Sequence, residues 1–155
     1  KYLNFRISGQ KLTRSKTIKY LGIVIDDQLS FKSHINEVSL KLCRANGMLA
    51  KIRHYVNLET LINIYHAIFA SHLRYACQVW GQTKNSQLSK IQSLQNKAIR
   101  LIHFQSYNAS CDLFYYLSRI LKFYDMVQYL NCIFVWDHQH STLPAVFDEY
   151  FSDQG

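Results

Sequence analysis

Proline occurs once in this chain, at Pro144, and acidic side chains are scarce through its first two thirds. No stretch stays uncharged long enough to cross a bilayer. The longest, Thr60 to Leu73, falls short of the roughly 20 apolar residues a spanning helix needs and carries His66 and His72. It reads as a buried helix, and no membrane partner is expected. No basic-then-apolar leader precedes a small-residue cleavage site, so secretion is not indicated. The cysteines Cys43, Cys77, Cys111 and Cys132 form no CxxC pair and are scattered through helical patterns. They read as reduced, buried thiols of an intracellular protein, nuclear or cytoplasmic, and no disulfide framework is expected.

The motifs of several chemistries are missing as well. There is no phosphate-cradling GxxxxGK loop. The seven histidines, His138-Gln139-His140 among them, lack the paired spacing of a zinc site and read as surface or interhelical side chains. Cys77 near His72 and Cys111 near His103 have no glycine-rich elbow or oxyanion loop beside them, so no nucleophile–base pair is assigned. Internal repeats and low-complexity segments are also absent. The chain begins at Lys1 without an initiator Met, already inside a strand-like segment, and an N-terminal neighbour is expected.

What is present is positive charge, unevenly placed. Of the net +8, residues 1–105 hold 16 Lys and Arg against 4 Asp and Glu, a net +12, while residues 106–155 hold 2 against 6, a net −4. An excess of this size on a small domain is the electrostatic footprint of a surface facing phosphates; the alternative for any one lysine is a solvated helix face. The helical pattern groups the cations. Ile35, Val38, Leu42, Ala45, Leu49, Ile52 and Val56 alternate spacings of three and four, one apolar seam on a helix of roughly six turns opening at Ser30 or Ser33. One position ahead of each lie His34, Glu37, Lys41, Arg44, Met48, Lys51 and Tyr55, so Lys41, Arg44 and Lys51 form a stripe beside the buried face. Gly47, mid-helix, costs about 1 kcal/mol relative to Ala.

A second helix runs from Leu58 to Val79 after an Asn57 cap. It is apolar on most sides through Leu61, Ile62, Tyr65, Ile68, Phe69, Leu73, Ala76, Val79 and Trp80, with Gly81 as its stop. Arg74 on it needs a partner or an exposed end. The third, Asn85 to Phe104, buries Leu88, Ile91, Leu94, Ala98, Leu101 and Ile102. Lys90, Ser93, Lys97 and Arg100 recur on another of its faces, a second basic stripe. Helix is favoured again from Cys111 to His138, with Leu113, Leu117, Ile120 and Leu121 among the apolar positions, until Pro144 ends it and a short helix from Ala145 to Phe151 closes the chain. Strands are expected at Leu3 to Ile7 and Thr17 to Ile25, with Ser8-Gly9-Gln10 as a turn. Gly22, between Leu21 and Ile23, reads as a bulge or close approach of another backbone inside a strand. Of Tyr20, Tyr55, Tyr65, Tyr75 and Trp80, most read as core, with one or two free to stack on a base.

The order of several blocks points further. Lys19-Tyr20-Leu21-Gly22-Ile23-Val24-Ile25-Asp26 is followed by Leu29-Ser30-Phe31-Lys32-Ser33-His34-Ile35, then by Tyr65 to Tyr75, Val79-Trp80-Gly81 and Leu94 to Ile102. Leu143-Pro144, Phe147 and Tyr150-Phe151 come last. This succession resembles the region after the catalytic palm in reverse transcriptases of non-LTR retrotransposons, of the jockey-like and CR1-like branches. The resemblance is strongest from Lys19 to Ile102. It departs from the family between Ser106 and Asp125, where Cys111-Asp112-Leu113-Phe114 and Arg119-Ile120-Leu121 stand in place of a Pro-Leu-Phe entry and a Gly-Ile-Leu turn.

The fold expected is mainly α (α+β): a β-hairpin element over residues 1–30 like the palm–thumb junction, a basic helical bundle of at least three helices over 31–105, and a smaller helical segment over 106–155. The resemblance implies a non-catalytic part of an RNA-directed DNA polymerase. Its partners would be an RNA or DNA template–primer and the palm and fingers of the same polypeptide. Lys19, Tyr20 and Gly22 would belong to the hairpin that grips the primer, and Lys41, Arg44, Lys51, Lys90, Lys97 and Arg100 would track the backbone. Asp26-Asp27 look like the metal-holding aspartates of a palm. They lack the aromatic residue two places before the pair and the return strand after it, and so read as a strand-end turn before a helix start, where the dipole favours acids. The chain then has no cofactor of its own, Mg²⁺ being expected only in the palm, and is inactive alone. The other reading is a helical protein-interaction module, co-opted or decayed, that binds an acidic or apolar partner and has no nucleic-acid function. Its support is the acidic, aromatic tail Phe147-Asp148-Glu149-Tyr150-Phe151.

Overall fold

A computed structural model describes residues 6–11, 14–147 and 150. The chain is mainly helical, with two short antiparallel hairpins ahead of the helices. The first pairs β1 (Arg6–Ile7) with β2 (Gln10–Lys11), and the second pairs β3 (Thr17–Tyr20) with β4 (Ile23–Asp26) in the register Tyr20↔Ile23. The expected strand Leu3 to Ile7 lies outside the described residues up to Phe5. The single strand expected over Thr17 to Ile25 is instead folded back on itself. Leu21 (φ 45°) and Gly22 (φ 79°) form a two-residue turn with positive φ at both positions, the type I′ geometry whose twist matches the flanking strands. Gly22 is therefore a turn residue and no bulge. A β-carbon on it would lie 3.7 Å from the Tyr75 ring, which is ordinary contact, so its glycine is required by the backbone angle and not by a close neighbour.

Asp26 joins the hairpin to the first helix, α1 (Lys32–Ile52). Its Oδ1 accepts from the Gln28 (3.2 Å) and Ser30 (3.0 Å) amides, and its Oδ2 from the Ser30 hydroxyl (3.0 Å) and the Phe31 amide (2.7 Å). These bonds, the Ser30 amide's first among them, hold its carboxyl below the usual carboxylate range. Neither Ser30 nor Ser33 is the main cap. The helix starts after Phe31, itself left-handed at φ 52°, and the one backbone amide that Ser30 Oγ accepts from is that of Lys32, at 3.4 Å.

The α1 seam is buried from Ile35 to Leu49 and packs against α5 (Asn85–Ile102), where Asn46 Nδ2 donates to the Leu94 carbonyl at 3.0 Å. The helix expected over Leu58 to Val79 is interrupted twice. It runs as α2 (Leu58–Tyr65), capped by Asn57 Oδ1 on the Thr60 amide, then a π-helical turn His66–Ala70, then α3 (Ser71–Arg74). Tyr75 turns extended and Ala76 left-handed before α4 (Cys77–Trp80). The break frees the Tyr75 carbonyl, which the Trp80 indole N–H takes at 3.0 Å, and swings the Tyr75 hydroxyl onto the Leu21 carbonyl at the hairpin tip. It also turns Trp80 fully inward against Phe123 and His34, and leaves Val79 half exposed rather than in the core.

The last long helical pattern also splits. The segments are α6 (Asp112–Leu117) and α7 (Phe123–Gln139), separated by a corner in which Arg119 has φ 53°. Leu113 and Leu117, apolar positions of the expected helical pattern, point to solvent, because the corner aims Ile120, Phe123, Met126 and Val127 inward in their place. Two glutamines of α5 cap the start of α7: Gln95 Oε1 and Gln92 Oε1 accept from the Phe123 amide at 2.8 and 3.1 Å. Gly81 lies where α4 meets α7, with Cys77 and Val127 so close that no β-carbon fits. After Pro144 only a 3₁₀ turn, Ala145–Phe147, is seen; the rest of the helix expected to Phe151 falls largely outside the described residues. One contiguous core holds all of this together, from Ile23 on the hairpin to Val127 on α7. Cys77 and Cys111 are buried as expected, while Cys43 and Cys132 are exposed. No helix of the described residues is long and apolar enough to cross a membrane.

Candidate nucleic-acid interface

The cationic side chains expected to meet phosphates fall into two sets. On α1, Lys41, Arg44 and Lys51 stand in solvent one step around from the buried seam. Lys41 and Arg44 border a groove whose far wall is Ala67, Ile68, Ser71 and His72 of the π turn and α3. A neighbouring groove joins Lys41 and His72 to Gly22 at the hairpin tip, with Tyr75 and His34 beside them. On β3, Lys19 and Tyr20 are exposed, and Lys19 Nζ lies 3.9 Å from Glu37 Oε2 on α1. That pair is weak and open to solvent, so it leaves the ammonium available to other anions.

The second set is on α5. Lys90, Lys97 and Arg100 line one groove with Asn96, Tyr107 and Asn108. Lys90 and Lys97 project freely, whereas Arg100 is half-buried, its Nε donating to the Ala109 carbonyl at 2.8 Å and its guanidinium 6.0 Å from the Tyr107 ring centre. The hydrogen bond fixes this arginine's direction, which lowers the entropy lost if it meets a phosphate. The grooves lined by Lys41 and Arg44 and the groove lined by Lys90, Lys97 and Arg100 share no residue. The structure thus brings Gly22, Lys41 and Arg44 to one side and Lys90, Lys97 and Arg100 to another.

Several side chains at these grooves escaped the sequence pattern. His34, placed there in the cationic row, is 4% exposed; its Nδ1 accepts from the Val24 amide at 3.4 Å, and burial pushes its pKa below the ordinary histidine range. It is a neutral strut between hairpin and helix. His72, also held below the ordinary range by burial and then by Lys41, faces the α1 cations. Tyr107 and Asn108 sit in a loop with no periodicity to reveal them. Tyr20, Tyr55 and Tyr75 are exposed while Tyr65 and Trp80 are core, so the aromatics at the surface outnumber the one or two expected. Arg74 takes the exposed position that its charge demands.

Asp26 spends both carboxylate oxygens on the turn, and Asp27 pairs with Arg14 at 2.9 Å. Among the described residues no three His, Cys, Asp or Glu side chains cluster as metal ligands would. What the arrangement offers is donors and positive charge on rigid helices.

Comparison with known proteins places the chain. Over 116 residues it is 33% identical to the RNA-directed DNA polymerase from mobile element jockey of Drosophila funebris, a match covering 69% of this chain and 13% of that protein. It is 35% identical over 100 residues to the jockey polymerase of Drosophila melanogaster, covering 62% of this chain and 11% of that protein. With the probable RNA-directed DNA polymerase from transposon X-element of Drosophila melanogaster it shares 34% over 87 residues, 54% of this chain and 10% of that protein. No protein-family model and no solved structure matches it. The chain is homologous to a region of the RNA-directed DNA polymerases of non-LTR retrotransposons of the jockey, X-element and BS kind. The matched stretch spans about a tenth of the length of these curated relatives.

Proposed function

We propose that the chain is the region after the palm of a retrotransposon RNA-directed DNA polymerase, its helices acting as a thumb that positions template–primer. The observation that supports this most is the pair of basic rows, one on α1 and one on α5, in a chain whose relatives are such polymerases. Lys41, Arg44, Lys51, Lys90, Lys97 and Arg100 contact phosphates, and the tip of the second hairpin, with Lys19, Tyr20 and Gly22, steadies the primer end. The mechanism is positioning. Contacts to phosphates carry no sequence information, so binding is nonspecific and salt-sensitive. Metal-assisted chemistry belongs to aspartates of a palm outside this chain, and the chain alone does not extend a primer. The reading sets its work in the nucleus or cytoplasm.

The test is fluorescence anisotropy with a labelled primer–template duplex. If about six phosphates are contacted, log K falls against log salt with a slope of roughly −4 to −5. Replacing Lys41, Arg44, Lys90 and Lys97 by Gln weakens binding alike across sequences and flattens that slope. Unchanged affinity in this variant would overturn the thumb reading.

A further inference from the structure

A pocket away from both basic grooves lies between the π-helical turn, α5 and the α6–α7 corner. Tyr65 and Gln95 lie in its floor, Met126 and Leu130 in its wall, and Arg74 and Arg119 at its rim. Two irregularities of the backbone shape it. The π-helical turn supplies His66 and Ala70, and the left-handed Arg119 supplies the opposite lip. A one-turn π-bulge is uncommon and recurs at functional sites. The open space is about 150 Å³, the volume at which an apolar cavity takes up a benzene ring.

Polar accounting at the floor narrows the occupant. Gln95 uses its whole amide: Nε2 donates to the Tyr65 hydroxyl and the Leu121 carbonyl, and Oε1 accepts from the Phe123 amide and from Gln92 Nε2. No donor or acceptor of that amide is left for an incoming polar edge. A nucleobase edge seated there finds no free group on Gln95, whereas a phenyl or branched aliphatic side chain packs on Ala70, Ile120, Met126 and Leu130 with no polar group to satisfy. The rim is cationic. Arg74 and Arg119 are exposed, and neither is among the ion pairs of the described residues. Guanidinium groups flanking an apolar slot suit carboxylates on either side of an inserted side chain.

We infer that this pocket is a docking site for a protein partner: a peptide segment that inserts one aromatic or branched apolar side chain between α3 and the α6–α7 corner while its flanking carboxylates engage Arg74 and Arg119. The site is independent of the basic stripes.

The probe is a fluorescein-labelled peptide with one phenylalanine between pairs of glutamates, titrated onto the full 155-residue chain. Saturable binding is expected, and the same peptide with alanine for phenylalanine binds at least about tenfold more weakly, which is 1.4 kcal/mol. The double variant Arg74→Glu/Arg119→Glu, both positions being at the surface, weakens the peptide by about tenfold, equivalent to the same 1.4 kcal/mol, and leaves duplex binding by the stripes intact. Amide chemical-shift changes on adding peptide map to residues 65–74 and 119–130. The inference is overturned if the peptide does not bind, if the alanine peptide binds equally well, or if the double variant is unaffected. It also fails if the shifts fall on α1, or if a single-stranded oligonucleotide displaces the peptide from the pocket.

Discussion

At the scale of the residue, backbone angles decide more than side-chain contacts do. Leu21 at φ 45° is an apolar β-carbon in a turn position that favours Asn or Gly, and 70% of it is exposed. Leu21→Asn keeps the carbonyl that Tyr75 binds and supplies the preferred Asn-Gly turn, so it is expected to stabilise the chain by about 0.5–1 kcal/mol in urea unfolding. Gly22→Val is expected to cost about 1–2 kcal/mol through its φ alone, with the helical core retained by circular dichroism. Gly81 is a different case. Its φ of −75° suits any residue, yet a β-carbon would press on the Cys77 carbonyl and come within 2.9 Å of Val127 Cγ2. Gly81→Ala is therefore expected to lose about 1–3 kcal/mol by overpacking, read as a lower urea midpoint with unchanged m. Should Gly81→Ala match the parent, the α4–α7 contact would be looser than described.

At the scale of the element, the breaks between helices and the hydrogen bonds at their starts carry the architecture. Asp26 ties hairpin to helix through four hydrogen bonds, all to groups within the next five residues. Asp26→Ala removes them together and is expected to lower the urea midpoint, with amide exchange rising first at residues 28–31. Exchange unchanged there would show that the positive-φ turn at Leu29 and Phe31 holds by itself. The long helices were legible in the sequence because their seams repeat at three and four residues; Ile35 to Leu49 and Leu88 to Ile102 are buried much as that spacing requires. The breaks at Tyr75–Ala76 and Ser118–Lys122 were not, because both segments keep apolar residues at helical spacing straight through the corner. The reason to break lies elsewhere in the molecule: in Phe123, on which Trp80 stacks, and in Gln92 and Gln95, which hold the start of α7.

At the scale of the whole molecule, burial of neutral histidines sets an acid limit. His34, His72 and His103 are each held below the ordinary histidine range, chiefly by burial. Between those lowered values and about 6.5 the unfolded chain binds more protons than the folded one, so stability is complete above about pH 6.5 and falls as pH drops through that window. The urea midpoint is expected to be lower at pH 5.5 than at pH 7.5, and His34→Asn, whose side-chain oxygen can still accept from the Val24 amide, should narrow the difference. Equal midpoints at both pH values would rule this out.

The sequence by itself determined the mainly helical class, the two long amphipathic seams of α1 and α5, the Asn57 cap and the excess of cations before residue 105, since each depends on local spacing or composition. Its block order also pointed to the polymerase relatives that the comparisons found. Only the tertiary structure decided that Gly22 sits in a turn, that His34 is a buried strut, that Leu113 and Leu117 face solvent, and that the two basic sets border separate grooves. Those outcomes depend on which helix packs on which and at what angle. A one-dimensional pattern of apolar and charged residues fixes a face on each helix, but leaves open the direction in which that face is turned.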